Sequence, residues 1–555
     1  MEKKWLNKYP KGIPAEVDVK EFSSVVELFQ HGVEKYGHKP AFANMGRVFS
    51  YAEMDEKSRA LAAFLQQDLG LQKGERVAIM MPNLLQYPVS IFAVLRAGLI
   101  VVNVNPLYTH RELQYQLNDS GASVIVILEN FAHVLADILP NTVIKKVIIT
   151  RLGDLLSYPK SVLINVAVKY LKRMVPRFYI QDAIDFNQAL ATGGSREYKQ
   201  REVTGEDVAF LQYTAGTTGV SKGAMLTHRN IVANVVQASA WIAPFVKEGS
   251  EVIITALPLY HIFSLTANCL LFLNLGGLNY LITNPRDMKG FVRELRHIKF
   301  TAITGVNTLF NGLLNTPGFA DLDFSSLHIS LGGGMAIQSV TARRWKEVTG
   351  NTLIEAYGLT EASPGVCINP FDLEDYNGKV GLPIPSTECS IQDEKRQMLA
   401  AGETGELCVR GPQVMRGYWN RPKETEKVLS ADGWLHTGDF GVMDDDGNFR
   451  VIERKDDMIV VSGFNVYPSE IEAVVAEHPG VLEAAAIGVA DARSGEVVKL
   501  FVVKKDPALT IDALKDFCRQ NLAAYKVPKY IEFCDSLPKT NVGKILHRAL
   551  RIEER

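Results

Sequence analysis

The stretch YTAGTTGVSKGAMLTH, residues 213–228, determines how the rest of the chain is interpreted. It begins at the end of an apolar segment, DVAFLQYT, which predicts a strand. It ends at Thr227, which is typical of a helix N-cap before HRNIVANVVQASAWI. The spacing GxxxxGK[ST] of a Walker phosphate loop is missing, and no helix follows Lys222 directly. Because GAMLT is short and apolar, we expect a glycine-rich loop between two strands.

The composition of this loop indicates a phosphate site. Successive backbone N–H groups of a glycine-rich turn can cradle a phosphate. Hydroxyl donors and one positive charge accompany the glycines, and the residues concerned are Thr214, Gly216, Thr217, Thr218, Gly219 and Lys222. A surface hairpin without a ligand would have a similar composition, because glycine is as common in turns as at ligand sites. Both interpretations stay open on this stretch alone.

The whole chain excludes several classes of protein. Its 555 residues exceed the roughly 250–300 residues that one core organises, so we expect at least two domains. The formal net charge of −2 gives no electrostatic footprint for nucleic acid. The six cysteines are scattered, which disfavours a disulfide framework and a zinc site and fits a reducing compartment. No signal peptide is apparent, and no apolar run reaches the ~18–20 residues that span a bilayer.

Strand and helix patterns alternate through the first part of the chain, which predicts a largely parallel α/β sheet. After the turn MDDDGNF, a compact series of helices and strands indicates a separate α+β unit of about 100 residues, within the normal range for a domain. We therefore predict an α/β protein with a large N-terminal domain of several subdomains over 1–455 and a small C-terminal domain over 456–555.

Residues 151–177 differ from their surroundings. Lysines and arginines flank the apolar stretch SVLINVAVKYLKRMV, and Asp154 is the only acid in the segment. Such a pattern suits a helix lying on an anionic membrane. It equally suits a surface helix docked on its own protein with solvated lysines.

The loop at 213–223 resembles the phosphate-loop signature of the adenylate-forming superfamily, [YF]TSG[ST]TGxPKG. The resemblance adds Tyr213 and Ala215 to the expected nucleotide contacts. Two positions depart from the signature, since Ala215 replaces a serine and Ser221 replaces a proline. Both replacements are small, so the backbone cradle is preserved, whereas a side-chain contact at position 215 is put in doubt.

Other signatures of the superfamily follow in order. EAYGLTE, residues 355–361, is similar to the motif that contacts adenine and the α-phosphate and that binds Mg²⁺. LGGGMAI, residues 331–337, is similar to the glycine turn beside the adenine. The resemblance implies nucleotide contacts at Gly333, Gly334, Glu355, Ala356, Tyr357, Gly358, Thr360, Asp439 and Arg454, the last two at the ribose. It implies Mg²⁺ binding by Glu361 with Thr214, and a carboxylate suits that hard cation.

The C-terminal part carries the remaining resemblance. Lys544 in LPKTNVGKILHR matches the superfamily's catalytic lysine, and a cation there would stabilise charge where a carboxylate approaches a triphosphate. The same resemblance implies catalytic roles for Thr214, Glu361 and His261 together with Lys544. It implies a mobile C-terminal domain with its hinge at Asp456. It also implies a coenzyme A path along Gly463 and Phe464.

Segments spread along nearly the whole chain resemble the bacterial long-chain fatty acid–CoA ligases within this superfamily. That resemblance implies ATP-dependent conversion of a long-chain fatty acid to acyl-CoA through an acyl-adenylate, with ATP, Mg²⁺ and CoA. The residues expected to line the apolar acyl pocket are Phe263, Val306, Phe310 and Met335. It also implies a cytoplasmic protein with no nucleic-acid partner. Peripheral contact with the inner membrane through 151–177 and a homodimer are further expectations.

Three alternatives stay open on the sequence. The enzyme could prefer medium-chain or aryl acids, or it could be an acyl-AMP ligase that passes its product to a carrier protein. The chain could also be a non-catalytic fatty-acid-binding protein on the same fold, because a fold alone does not establish an activity.

Overall fold

The glycine-rich loop connects two adjacent antiparallel strands, as predicted. The protein is described here by a computed structural model that covers residues 3–214, 221–454, 457–462, 464–491, 494–540 and 543–553. The strand before the loop ends at Thr214, which pairs in register with Lys222 at the start of the strand after it. The loop residues 215–220 lie outside the described residues.

The strands are numbered along the chain. They are β1 (Pro40–Asn44), β2 (Arg47–Ser50), β3 (Arg76–Met80), β4 (Ile100–Asn103), β5 (Val124–Leu128), β6 (Lys146–Thr150), β7 (Ile184–Asp185), β8 (Val208–Thr214), β9 (Lys222–Thr227), β10 (Val252–Thr255), β11 (Leu278–Leu281), β12 (Ala302–Gly305), β13 (Ile329–Gly332), β14 (Leu353–Gly358), β15 (Gly365–Ile368), β16 (Leu382–Pro383), β17 (Glu388–Gln392), β18 (Thr404–Arg410), β19 (Gly417–Tyr418), β20 (Leu435–Met443), β21 (Phe449–Arg454), β22 (Ile459–Val461), β23 (Phe464–Val466), β24 (Val481–Asp491), β25 (Gly495–Lys504) and β26 (Tyr530–Cys534).

The α-helices are numbered in the same way. They are α1 (Val25–Tyr36), α2 (Tyr51–Gln67), α3 (Gln86–Arg96), α4 (His110–Ser120), α5 (Ala132–Ile138), α6 (Lys160–Val166), α7 (Phe186–Gly194), α8 (His228–Ile242), α9 (Leu271–Asn274), α10 (Met288–Leu295), α11 (Asn307–Leu314), α12 (Ser339–Thr349), α13 (Pro422–Val428), α14 (Pro468–Ala476), α15 (Ile511–Asn521) and α16 (His547–Glu553). Two π-helical turns, Ala167–Leu171 and Ser264–Leu270, follow α6 and precede α9.

Two large sheets form most of the molecule, and both have parallel centres. One has the order β19-β9-β8-β4-β3-β5-β6-β7, and the other has the order β16-β15-β14-β13-β12-β10-β11-β1-β2. Strands β3 to β7 pair in parallel, as do β10 to β14. The β9–β19 edge of the first sheet and both edges of the second are antiparallel. The predicted largely parallel α/β architecture is confirmed.

Two apolar helices are almost completely enclosed. Every residue of α3 is buried, and α8 is buried along most of its length. A helix that is apolar on all sides belongs in the interior of a large protein. The α8 helix starts at the predicted N-cap, Thr227. The Thr227 hydroxyl accepts a hydrogen bond from the Asn230 N–H, and the Asn230 side-chain oxygen accepts one from the Thr227 N–H. This capping box sets where α8 begins after the hairpin.

Two smaller sheets follow. Strands β17, β18, β20 and β21 form an antiparallel sheet, and β22 to β26 form the C-terminal sheet, in which β26 pairs in parallel with β25. The C-terminal sheet packs α14 and α15 on one face and α16 on the other, around apolar clusters separate from those of the large sheets. The chain is thus a mixed α/β protein with a large N-terminal region and a C-terminal unit.

The basic segment at 151–177 forms the short helix α6 and a π-helical turn. One side is anchored to the protein, since Val168 is buried and the Lys160 ammonium donates to the Met45 carbonyl at 2.5 Å. The other side is strongly exposed and apolar, with Leu163 at 64%, Tyr170 at 68% and Leu171 at 81% exposure. Among the described residues, no helix combines the length and apolarity that crossing a bilayer requires.

Candidate active site

A cavity of about 1140 Å³ lies where the two large sheets, the β17–β21 sheet and the C-terminal unit meet. Strands β8 and β9 supply its wall from one sheet, and the ends of β12, β13 and β14 supply the opposite wall. The carboxyl ends of parallel strands are where ligands bind in α/β sheets. Thirteen of the residues predicted from the motifs line this cavity, namely Tyr213, Thr214, Lys222, His261, Gly333, Gly334, Ala356, Tyr357, Gly358, Thr360, Glu361, Arg454 and Lys544.

Both ends of the phosphate loop are held firmly. The Tyr213 hydroxyl donates to the Asp119 carboxylate at 2.7 Å, and burial raises the pKa of this phenol well above its usual range. The Ser221 hydroxyl donates to the Thr214 carbonyl at 2.7 Å, so this departure from the superfamily signature closes the base of the loop. The expected contacts at Ala215, Gly216, Thr217, Thr218 and Gly219 lie outside the described residues.

The second wall places backbone close to the cavity. At Gly333, a Cβ atom would approach the Ala356 carbonyl at 3.1 Å and the Phe263 ring at 3.3 Å, so only glycine leaves the space open. Glu355 does not line the cavity, because its carboxylate turns inward and accepts hydrogen bonds from the Ile337 N–H at 3.1 Å and the Tyr376 hydroxyl at 2.8 Å. Burial raises the pKa of Glu355 to about 7.

A second acid, Glu361, faces the cavity from the turn after β14. One of its carboxylate oxygens accepts a hydrogen bond from the Tyr418 hydroxyl at 2.7 Å. The Lys222 ammonium lies 5.3 Å from the centre of the Tyr418 ring and 2.8 Å from the Glu424 carboxylate. Tyr418 therefore links the acid of the second wall to the lysine of the first.

The predicted ribose pair is assembled across neighbouring strands. Asp439 of β20 is paired in register with Arg454 of β21, and the Arg454 Nε donates to the Asp439 carboxylate at 3.0 Å. The Tyr357 hydroxyl donates to the other oxygen of Asp439 at 2.6 Å. Asp439 raises the pKa of Arg454, and burial raises the pKa of Tyr357. Asp439 itself is buried behind Tyr357 and is not part of the cavity wall.

Lys544 reaches the cavity from the C-terminal unit. Burial lowers the pKa of its ammonium, and the nearby Arg454 guanidinium adds to this effect. Two hydrogen bonds attach the C-terminal unit to α11, one from the Thr308 hydroxyl to the Gly543 carbonyl at 2.9 Å and one from the Asn311 amide to the Leu482 carbonyl at 3.1 Å. The C-terminal unit is thus closed over the cavity with its lysine inside.

His261 lies between the polar and apolar parts of the cavity. Burial lowers the pKa of its imidazole to about 4, and the positive charge of Lys544 adds to the effect. The ring is therefore neutral at pH 7. Its Nδ1 accepts a hydrogen bond from the Phe263 N–H at 3.3 Å, which fixes the orientation of the ring.

The apolar part of the cavity only partly matches the prediction. Phe263 and Val306 line it, but Phe310 and Met335 do not. Phe310 is completely buried and packs edge-on against Trp345 at 4.8 Å, so it belongs to the core behind the wall. The side chain of Met335 packs against the core beyond the glycine turn. The apolar walls come mainly from α8, β10, β13 and the region of α9, through Ala238, Trp241, Ile242, Ile253, Ala267, Leu271, Phe272, Ile329 and Leu331.

Phe464, predicted for the coenzyme A path, does not line the cavity. Phe464 is exposed on the C-terminal unit, where its ring stacks on Tyr525 at 4.9 Å. The predicted hinge residue Asp456 and Gly463 lie outside the described residues.

Comparisons with known proteins identify the family. A family model described as AMP-binding enzyme matches residues 29–419, and a model described as AMP-binding enzyme C-terminal domain matches residues 470–544. The chain belongs to the AMP-binding enzyme family. Two curated relatives are long-chain-fatty-acid–CoA ligases. The one from Salmonella typhimurium is 59% identical over 555 residues, with 100% of this chain and 99% of the relative covered. The one from Bacillus subtilis is 39% identical, covering 100% and 98%.

The fold is shared with solved structures. ATP-bound MatB from Rhodopseudomonas palustris superposes with a TM-score of 0.78 at 28% identity, covering 95% of this chain and 98% of that chain. The predicted fold class is therefore confirmed by an independent solved structure.

Two groups of cavity residues in this AMP-binding enzyme were missed from the sequence. Tyr418 gave no signal, because its contact with Glu361 joins positions 57 residues apart. The residues of α8 did show a pattern, since Ala238, Trp241 and Ile242 recur at the spacing of one helix face. That spacing is the same for a helix packed in the core, so it does not identify a cavity wall.

The donor set of this AMP-binding enzyme fits Mg²⁺. Glu361 presents a carboxylate, one oxygen of which is not used by Tyr418, and Thr214 adds a hydroxyl oxygen on the same cavity. Hard oxygen donors of this kind, completed by water and phosphate, are what Mg²⁺ prefers.

Proposed function

We propose that the protein is an AMP-forming long-chain fatty acid–CoA ligase. It converts ATP, a long-chain fatty acid and CoA to AMP, diphosphate and acyl-CoA through an acyl-adenylate. The observation that carries the proposal is one cavity that joins the phosphate-loop residues, Lys544 and a deep apolar compartment. The 59% identity over the full length to a long-chain-fatty-acid–CoA ligase supports the same reaction and substrate class.

In the first half-reaction, a carboxylate oxygen of the fatty acid attacks the α-phosphorus of ATP. The new bond joins the carboxylate oxygen to the α-phosphorus as a mixed anhydride, and the bond from the α-phosphorus to the bridging oxygen of the β-phosphate breaks, which releases diphosphate. The carboxylate and the triphosphate repel each other, so positive charge must offset their approach. Lys222 at the start of β9 and Lys544 on the C-terminal unit supply that charge, in a site where fixed charges act more strongly than in water.

Mg²⁺, when bound, neutralises phosphate charge and is held by Glu361 with Thr214. We place Tyr357 against the base and Arg454 beside the ribose, since both line the cavity. The buried Asp439 carboxylate holds both side chains in place, because it accepts hydrogen bonds from Arg454 at 3.0 Å and from Tyr357 at 2.6 Å. These groups bind and orient the nucleotide and do not take part in bond formation.

In the second half-reaction, the thiol of CoA attacks the acyl carbon, loses its proton and displaces AMP. Lys544 occupies the cavity in the closed arrangement, so the C-terminal domain must turn away to admit the thiol. We assign residues 1–455 and 456–555 to the two domains and Asp456 to the hinge, with Gly463 and Phe464 along the CoA path. The exposed ring of Phe464 is suited to pack against the pantetheine chain.

The hinge assignment gives a specific expectation. Proline at position 456 restricts the backbone rotation that the turn requires. In Asp456→Pro we expect adenylation at a near-normal rate and loss of thioester formation. Diphosphate exchange measures the first, and the yield of acyl-CoA measures the second. A normal thioester yield would remove the hinge from this position.

The apolar compartment explains the preference for long chains. Each buried methylene contributes about 0.8 kcal/mol, so affinity rises with chain length without specific contacts. The decisive experiment mixes the protein with Mg-ATP and acids from acetate to oleate plus a cinnamate, with and without CoA, and follows AMP, diphosphate and thioester by mass. We expect acyl-CoA with a maximum at long chains.

Each alternative predicts a different outcome. A maximum at medium chains or at the cinnamate identifies the corresponding ligase. Adenylate without thioester identifies an acyl-AMP ligase, and binding of fatty acid without AMP release identifies a non-catalytic binding protein.

The exposed apolar side of the 151–177 segment supports contact with a membrane surface. Tyr158, Leu163, Tyr170 and Leu171 point to solvent beside Lys172, which suits insertion among anionic headgroups. We expect sedimentation with vesicles that contain phosphatidylglycerol, and loss of it in Leu171→Glu. Binding that is unchanged in this variant would contradict the assignment. We therefore propose peripheral association with the inner membrane. We also propose a homodimer, which sedimentation velocity would measure.

A further inference from the structure

The phosphate-loop lysine is already engaged by a carboxylate of its own chain. The Lys222 ammonium lies 2.8 Å from the Glu424 carboxylate, in a partly enclosed position where the two side chains are 15% and 26% exposed. The position that attracts phosphate oxygens in the proposed function is therefore occupied by a protein anion.

Glu424 has a second cationic partner. It is the residue of α13 that faces Lys222, and its other carboxylate oxygen accepts a hydrogen bond from Lys427 at 2.7 Å. Lys427 is 67% exposed, whereas Lys222 is largely enclosed. The two lysines hold the pKa of Glu424 at about 2, so the carboxylate carries its negative charge throughout the working range of pH.

The helix that carries Glu424 is well placed to hold it there. The Thr425 hydroxyl donates to the Arg421 carbonyl at 2.9 Å and accepts from the Tyr418 N–H at 2.9 Å, which ties α13 to β19. Strand β19 pairs with β9, the strand that begins with Lys222. The acid and the lysine are thus fixed on adjoining elements.

A triphosphate beside Lys222 would meet this carboxylate as a like charge. Either the triphosphate and the Glu424 carboxylate both contact the Lys222 ammonium and repel each other, or Glu424 loses its contact with Lys222 and stays paired with Lys427 alone. Each course lowers the affinity for the nucleotide. An ion pair at a partly exposed site is weak, so the contact can be displaced by a ligand with several negative charges.

We propose that Glu424 is an internal competitor of the ATP phosphates for Lys222 and that Lys427 is its alternative partner. Glu424 is a positioning residue in this account. It keeps the ammonium directed into the cavity and sets the nucleotide affinity below the value that Lys222 alone would give. The inference rests on the proposed function, because it takes ATP as the ligand of Lys222.

The test measures Mg-ATP affinity by calorimetry and steady-state kinetics with a long-chain acid and CoA. In Glu424→Gln we expect Kd and KM for ATP to fall roughly two- to fivefold with little change in kcat. In Lys427→Gln we expect Kd and KM for ATP to rise, since Lys222 is then the only one of the two lysines left to pair with Glu424. That rise should disappear in the Glu424→Gln, Lys427→Gln double variant, because coupled residues are not additive.

Glu426→Gln is the matched control. It removes the same charge from the same helix, at an exposed position that makes no ion pair within the described part of the chain, and we expect no change in Kd. An equal fall in Glu426→Gln would mean that net charge alone acts, and an unchanged or raised Kd in Glu424→Gln would overturn the proposal. Wild-type protein that binds no Mg-ATP would instead refute the proposed function, so the two failures are distinguishable.

Discussion

The two ends of the cavity are built differently. The polar end, where we place the nucleotide, is formed by residues at the ends of strands and just after them, such as 355–361 and the pair Thr214 and Lys222, and its polar groups are held by hydrogen bonds. The acyl end is formed by side chains from α8, β10, β13 and the region of α9, which lie far apart in sequence.

This difference reflects what each end must do. Phosphates and a ribose need donors and acceptors at defined positions, and backbone at the ends of parallel strands provides them. An alkyl chain needs only apolar area of sufficient length, which many combinations of side chains provide. The polar end should therefore respond to single substitutions with large losses, and the apolar end with graded changes.

The largest effect is expected at Lys544. Removal of a cation that stabilises developing charge typically costs about 10²–10³-fold. In Lys544→Ala we expect a loss of that size in the adenylation rate, measured by diphosphate exchange, and near-normal thioester formation from added acyl-adenylate. Lys529→Ala, which removes an exposed lysine paired with Asp491, is the control and should change neither rate.

A loss of both half-reactions in Lys544→Ala would contradict its separate role. Lys544 would then not act in adenylation alone, and the expected large loss from a single substitution at the polar end would lose its main support.

A graded effect is expected at Ala238 on the apolar wall. A tryptophan there would occupy part of the acyl compartment, and each methylene excluded costs about 0.8 kcal/mol, roughly fourfold. In Ala238→Trp we expect kcat/KM to fall more than tenfold for long-chain acids and to stay near normal for short ones.

Ala240→Trp is the matched control, because Ala240 is half-buried on the same helix but does not line the cavity. If both variants lose activity equally at every chain length, the effect comes from folding and not from the compartment.

A smaller effect is expected from the pH dependence at His261, where the two ends meet. Burial lowers the pKa of this imidazole to about 4, so the folded protein binds fewer protons there than the unfolded chain between pH 4 and about 6.5. Its stabilising contribution is complete above pH 6.5 and is lost as the pH falls toward 4. The upper limit of this contribution to the free energy of unfolding is about 3 kcal/mol, because each pKa unit corresponds to about 1.36 kcal/mol.

In His261→Gln we therefore expect a flatter decline of the unfolding temperature between pH 6.5 and 4, measured by calorimetry, with values matched to wild type at pH 8. The same slope in both proteins would show that His261 remains able to bind its proton in the folded state.

The sequence predicted the polar end because its chemistry is local. Asp439 and Arg454 were expected at the ribose and are paired at 3.0 Å, although they come from different strands. Glu355 shows where the motif fails as a guide. Although it lies within the motif, its carboxylate points into the protein and accepts a hydrogen bond from Tyr376 instead of lining the cavity. At the apolar end, Phe263 and Val306 line the cavity and Phe310 does not, because composition cannot distinguish a wall from the packed layer behind it.

Sequence alone determined the hairpin around the loop, the N-cap of α8, the α/β architecture and the order of the nucleotide motifs. All of these depend on contacts between neighbours in the chain or on the periodicity of apolar residues. Only the tertiary structure decided that Tyr418 donates to Glu361, that Glu424 engages Lys222 and that α8 closes the acyl compartment. These contacts join residues up to 202 positions apart, and their geometry exists only after the sheets have packed.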